Sequence, residues 1–189
     1  VVVDNDGTDN SLWAGNGVGA FVVALIGGTG VAGTYTESFE TDFGSWANAD
    51  AQQNWARDTA GTPSGNTGPT GASAGTTFVY TEASTNGVGF PNRTFAIETE
   101  DFATPQSISF DYHMFGADMG DLEVQTQYQG VWTTRFTLNG QQQAVQADPY
   151  LNQFIDLSLF PVEKIRFFYT SGGNFTGDCA IDNVVIIST

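Results

Sequence analysis

The chain has 189 residues, enough for one ordinary domain with its own core. Five Lys and Arg stand against 21 Asp and Glu, a formal net charge of −16, which argues against a nucleic-acid or anionic-membrane partner. One cysteine, Cys179, excludes an intrachain disulfide, and the most apolar run, Ala20–Ile26, falls far short of the ~20 residues of a membrane span.

The composition is that of an all-β chain. Its 23 glycines and 15 phenylalanines, with many Thr, Val and Asn, suit short strands joined by turns, and no long segment keeps a helical period. No lysine-rich leader precedes the first residues, as expected of a chain that begins after cleavage. Asp4, Asp6, Gly7 and Asp9 hold part of a calcium-loop pattern but lack its closing Glu, so a plain acidic turn is expected. Glycines then flank the continuous apolar run of Ala20, Phe21, Val22, Val23, Ala24, Leu25 and Ile26. Such a run is buried on both faces when it forms a strand. Two readings stand: an added strand of its own sandwich, or a donor strand inserted into a neighbouring copy.

Thr36–Glu40 is the expected first strand of the main domain, with Ala47–Asn54 a loop and Thr59–Gly75 a long ordered surface loop. Thr76–Glu82 and Arg93–Glu98 read as strands about a turn at Asn86–Asn92. The centre of the chain is Ser109–Val124. Ile108, Phe110, Tyr112 and Met114 alternate with Ser109, Asp111 and His113, then Gly116 and Gly120 break the pattern, and Leu122, Val124, Thr126 and Tyr128 resume it. This predicts a hairpin. Val131–Leu138 follows, with Trp132, Thr134, Phe136 and Leu138 sharing one face, then a glutamine-rich loop at Asn139–Pro149. Gln153–Leu157, Glu163–Thr170 and Cys179–Ile187 complete about ten strands, the last apolar enough to be central. The expected fold is a two-sheet antiparallel sandwich.

The central stretch F-x-Y-H-M-x-G-x-x-M-G-x-L-x-V resembles the signature of MAM domains in the form seen in bacterial secreted proteins. Ser38-Phe39-Glu40, Trp46, Asn54-Trp55-Ala56-Arg57, the Thr62–Pro69 loop, Phe78–Ser84, Trp132, Asn139-Gly140 and the closing Gly177–Val184 follow in the family's order. The resemblance covers roughly residues 36–187. It implies a jelly-roll sandwich over 36–189 preceded by an extension over 1–35, secreted or held at the extracellular surface. It further implies a role in adhesion or assembly, without catalysis. The expected partners are a second copy, as an oligomer or filament, or a cell-surface or matrix glycan. The alternative is a carbohydrate-binding module of a larger secreted enzyme.

Within that frame Glu40 and Asp182 fall on the first and last strands, which run side by side in a jelly roll. Two carboxylates there repel unless a cation bridges them or loop amides cap them. The resemblance implies a structural Ca²⁺ in some members. The acidic residue that animal members carry after Gly-Pro is absent, since Thr70 follows Pro69, and Asp50 is a candidate substitute. His113 is expected to be a hydrogen-bonded sheet residue and Cys179 a small buried hydrophobe. No G-x-S-x-G elbow is present, and no nucleophile–base arrangement supports an enzyme. Trp46 and Trp55 are expected in the core, Trp13 at an interface. Trp132 and Tyr128 are candidate sugar-stacking rings, with Gln125, Gln127 and Gln129 beside them.

Overall fold

A computed structural model describes residues 33–102 and 104–189 of the chain. Phe21, Val22, Val23, Leu25 and Ile26, with Trp13 and the acidic turn at residues 4–9, lie outside the described residues. Eleven strands occur in the described part: β1 (Gly33–Glu37), β2 (Trp46–Asn48), β3 (Trp55–Asp58), β4 (Phe78–Thr81), β5 (Thr94–Thr99), β6 (Pro105–Met114), β7 (Asp121–Tyr128), β8 (Val131–Asn139), β9 (Leu151–Asp156), β10 (Lys164–Thr170) and β11 (Cys179–Ser188). They form two antiparallel sheets. The six-stranded sheet runs β3-β4-β11-β6-β9, with β1 also paired to β11, and the five-stranded sheet runs β2-β5-β10-β7-β8. Among the described residues no helix is long and apolar enough to cross a membrane.

Alternation builds the core. Ile108, Phe110, Tyr112 and Met114 of β6, Ile181, Val184 and Ile186 of β11, and Ile165, Phe167 and Tyr169 of β10 point inward and are buried. Phe110 meets Phe167 edge to face across the two sheets at 4.8 Å, and Trp46 stacks on the same ring at 5.0 Å. Each such pair adds about 0.5–1.5 kcal/mol beyond its buried area. Cys179 is fully buried, and β11 is central, as its apolar sequence requires.

The expected hairpin at 109–124 is not one. β6 pairs with β11 and β9, whereas β7 pairs with β10 and β8, so the connection 115–120 carries the chain from one sheet to the other. Alternation reports which face of a strand is apolar, not which strand lies beside it. The two glycines serve this arch: a Cβ on Gly116 would strike the Thr176 carbonyl, and one on Gly120 the Thr170 carbonyl. Tyr169 Oη clasps the arch, accepting from Gly120 N at 2.8 Å and donating to Gly177 O at 2.6 Å.

Four further strands depart from the pattern. β1 ends at Glu37, earlier than expected, because Phe39 turns left-handed at φ 57° to bury its ring. The region 47–54, expected to be all loop, holds the end of β2 and leads into β3, one strand at the edge of each sheet. Asn48 joins them by accepting from Trp55 N at 2.7 Å and donating to Trp55 O at 3.0 Å. In β8 the register slips between Gln125↔Thr134 and Val124↔Phe136, leaving Arg135 as the extra residue of a bulge. Trp132 and Thr134 therefore face outward while Phe136 and Leu138 turn toward the core, so the four do not share a face.

Candidate functional site

The outer faces of the two sheets differ. Over the six-stranded sheet lies the 59–76 loop. Beneath it Phe78, Tyr80 and Ala180 form a second apolar cluster with Ala56, Ala72 and Tyr150. Tyr150 Oη donates to Gly71 O at 3.1 Å, Gln146 Nε2 to Thr67 O at 2.9 Å, and Gly68 N to Phe115 O at 2.8 Å. His113 lies under this cover, fully buried against Tyr150 with ring centroids 5.4 Å apart. Among the described residues neither ring nitrogen makes a well-formed hydrogen bond, with only the backbone at Gln146 and Asp148 close enough to favour the charged form, which departs from the expectation of a bonded sheet histidine. Burial pushes its pKa down to about 4.

Glu40 and Asp182 are both brought to this loop, where amides cap them. Glu40 Oε1 accepts from Thr76 N at 2.9 Å and Thr77 N at 3.0 Å, and its Oε2 from Thr76 Oγ1 at 2.8 Å. Asp182 Oδ2 accepts from Ser73 N at 2.8 Å and Ala74 N at 3.0 Å, and its Oδ1 from Asn183 N at 2.7 Å. The amide bonds hold the Glu40 carboxyl below its usual pKa. Burial, reinforced by Asp111 directly across the ladder, lifts Asp182 to about 6 against its amide bonds. Asp50 sits on the exposed bend past β2, on the other sheet. Among the described residues no three His, Cys, Asp or Glu side chains converge to hold a metal.

The five-stranded sheet presents a different outer face. Lys164, Arg166 and Phe168 of β10, Glu123, Gln125 and Gln127 of β7, and Trp132 and Thr134 of β8 stand on it, opposite the core residues of the same strands. Arg166 is its hub. The guanidinium carbon lies 4.2 Å from the Trp132 ring centroid and 4.9 Å from that of Phe168. Arg166 Nε donates to Gln125 Oε1 at 2.6 Å. Gln125 Nε2 donates to Glu123 Oε2 at 2.7 Å, and Thr134 Oγ1 donates to the same oxygen at 2.5 Å. Each member of this network is held by another, which fixes the side chains of the face. Burial lowers the Arg166 pKa somewhat, opposed by Glu98 and Glu123.

Tyr128 does not join Trp132. Gln127 pairs with Trp132 and Tyr128 with Val131, and successive residues point to opposite faces. Tyr128 stands at the β7–β8 turn, where Gln129 and Gly130 both take positive φ, as a two-residue primed turn requires. Arg166 and Phe168 were missed in the sequence. The available signal was an aromatic at a wet-face position, Phe168, two residues from an arginine in a strand whose alternate residues fill the core.

The family model described as "MAM domain, meprin/A5/mu" matches residues 38–189, which is most of the chain and nearly all of the described sandwich. The chain belongs to the MAM family. MAM domains are typically non-catalytic and usually extracellular. No curated protein sequence matches this MAM chain. Among solved structures it is similar to the K2 cleaved adhesin domain of Lys-gingipain, with TM-score 0.61 and 15% identity over 81% of this chain and 98% of that one. The K1 adhesin domain of Lys-gingipain from Porphyromonas gingivalis W83 gives TM-score 0.57 and 16% identity, over 82% and 98%. At these identities the likeness is one of fold.

Proposed function

We propose that this MAM domain is an extracellular, non-catalytic adhesion module that binds its partner on the outer face of the five-stranded sheet. The observation that carries the reading is the asymmetry of the sandwich. Loops cover much of the outer face of one sheet, while the other keeps a partly exposed, pre-ordered row of Trp132, Arg166 and Phe168. Pre-ordering lowers the entropic cost of binding. The test is attachment of the full chain to bacterial or animal cell surfaces, compared with Thr134→Arg. Thr134 is exposed, and the bonds its replacement gives up, to Glu123 and Gln125, lie on this face and not in the core. The reading expects attachment to fall at least tenfold; equal attachment overturns it.

A second reading is self-assembly, with Ala20–Ile26 as a strand donated to a neighbouring copy. It is supported by the outer edge of β9, unpaired among the described residues, which carries the exposed Leu151 and Phe154. The test is negative-stain microscopy of the full chain beside a chain starting at Gly33, a cut that spares β1. Filaments from the full chain alone support it. Filaments from the shortened chain, or from neither, exclude it.

A further inference from the structure

We infer that the ligand of this face is a neutral polysaccharide strand, bound across β10, β7 and β8 with Arg166 at the centre of its site. The inference rests on the reading of that face as the binding surface. Three observations select the chemistry. The first is the pairing of ring and guanidinium. Trp132 and Phe168 flank Arg166 with the guanidinium carbon within 5 Å of both ring centroids, so aromatic and cationic surfaces alternate along the face. A pyranose offers the matching pattern, C–H groups on one face of the ring and hydroxyls around its rim.

The second is the free hydrogen-bonding capacity. Gln125 takes only Nε of Arg166, and among the described residues the two terminal nitrogens have no protein acceptor. The two ion pairs among the described residues both belong to Lys164, so no carboxylate there claims Arg166. A planar pair of N–H donors beside the acceptors Glu123 and Glu98 suits adjacent hydroxyls, each of which donates and accepts.

The third is charge. Glu98, Glu123 and Asp121 outnumber Lys164 and Arg166 on the outer face, and the whole chain carries −16. A uronate, sulfated or nucleotide chain is repelled here, whereas an uncharged one is not. A protein partner would seat its Trp, Tyr or Arg anchors in a fully desolvated pocket at the centre of the patch. Here the centre is a guanidinium held in a network of amides and carboxylates, and its two rings are only partly exposed.

The experiment is affinity electrophoresis of the full chain in gels containing xylan, mixed-linkage β-glucan, galactan or mannan, with polygalacturonate as the acidic probe. At least one neutral polymer should retard the chain and polygalacturonate should not. Trp132→Ala and Arg166→Lys should each weaken that retardation at least tenfold, with unchanged far-ultraviolet circular dichroism. Thr134→Arg should do the same from an exposed position, and Tyr128→Ala, on the opposite face, should change nothing. Absence of retardation by every neutral polymer overturns the inference, as does preference for polygalacturonate. Cell attachment separates the two levels. If Thr134→Arg abolishes attachment while no neutral glycan binds, the face is right and the ligand class wrong. If attachment survives Thr134→Arg, the reading of the face itself falls.

Discussion

Asp178 lies fully buried beside the 62–67 loop, with Oδ1 accepting from Ala83 N at 2.8 Å and no hydrogen bond to Oδ2 among the described residues. Burial, with a smaller push from Glu82, lifts its pKa to about 7 against the bond from Ala83. The folded chain therefore keeps a proton there that the unfolded chain loses near 4. Stability from this group is complete below that value and is lost as the pH rises through about 7. Asp182, lifted to about 6, acts in the same direction. His113 opposes both: its folded pKa is pushed down to about 4, so its contribution is present above 6.5 and lost as the pH falls toward 4. Glu40 and Asp156, held below their usual range, oppose them too, but both are exposed, so the two buried carboxyls set the sign and the urea midpoint should fall from pH 4 to pH 8. Asp178→Asn keeps the acceptor for Ala83 N and removes the charge. It should stabilise the chain by on the order of 2–4 kcal/mol at pH 8 and change little at pH 4, as read by urea titration at both values. None of this was legible in the sequence, where Asp178 is one acid among 21 and its burial depends on a loop more than 100 positions earlier. Trp132 was legible as a surface aromatic. Arg166 was not, because its role comes from strands that meet only in the sheet.

Strand existence was written locally and strand partnership was not. The alternation in β6, β7, β10 and β11 marked each of them, and the same alternation made β6 and β7 look like a hairpin. Partnership was set by the glycines of the 115–120 arch and by Tyr169, about 50 residues on. The bulge at Arg135 likewise leaves no composition signal, yet it decides that Trp132 faces outward while Phe136 turns in. β2 and β3, three and four residues long, are too short to show a period. The 59–76 loop is a further element whose behaviour can be tested. Its far end is tied to β11 and to the segment after β1 by the amide bonds of Asp182 and Glu40. Glu40→Ala should accelerate thermolysin cleavage within 59–77 several-fold while circular dichroism is unchanged. Addition of millimolar calcium or of chelator to the unaltered chain should leave the melting temperature within about 1 °C, since neither changes a bond that holds the loop.

At the scale of the molecule, the charge of −16 has little to offset it. The two ion pairs among the described residues join Lys164 to Glu98 at 3.5 Å and to Asp101 at 3.8 Å. Both are partly exposed and contribute little. Screening therefore removes more repulsion than attraction. The melting temperature should rise by a few degrees between about 20 mM and about 500 mM NaCl, with KCl equivalent, as measured by calorimetry at pH 8. A flat or falling curve would show that attractive pairs dominate. The pairing of β1 with β11 sets how the domain bears load. Gly33 stands opposite Ser188, so the two ends of the sandwich emerge side by side from one corner. Tension applied through them pulls two antiparallel strands apart from that corner, breaking the ladder one rung at a time instead of all rungs in shear. β1 has five residues, only Tyr35 among them packs its ring on the core, and with Glu37 gone from the ladder Phe39 is the next anchor to yield. Under flow or traction the sandwich would thus give way first at this seam, lengthening the tether while the Trp132–Arg166 face, on the other sheet, stays intact.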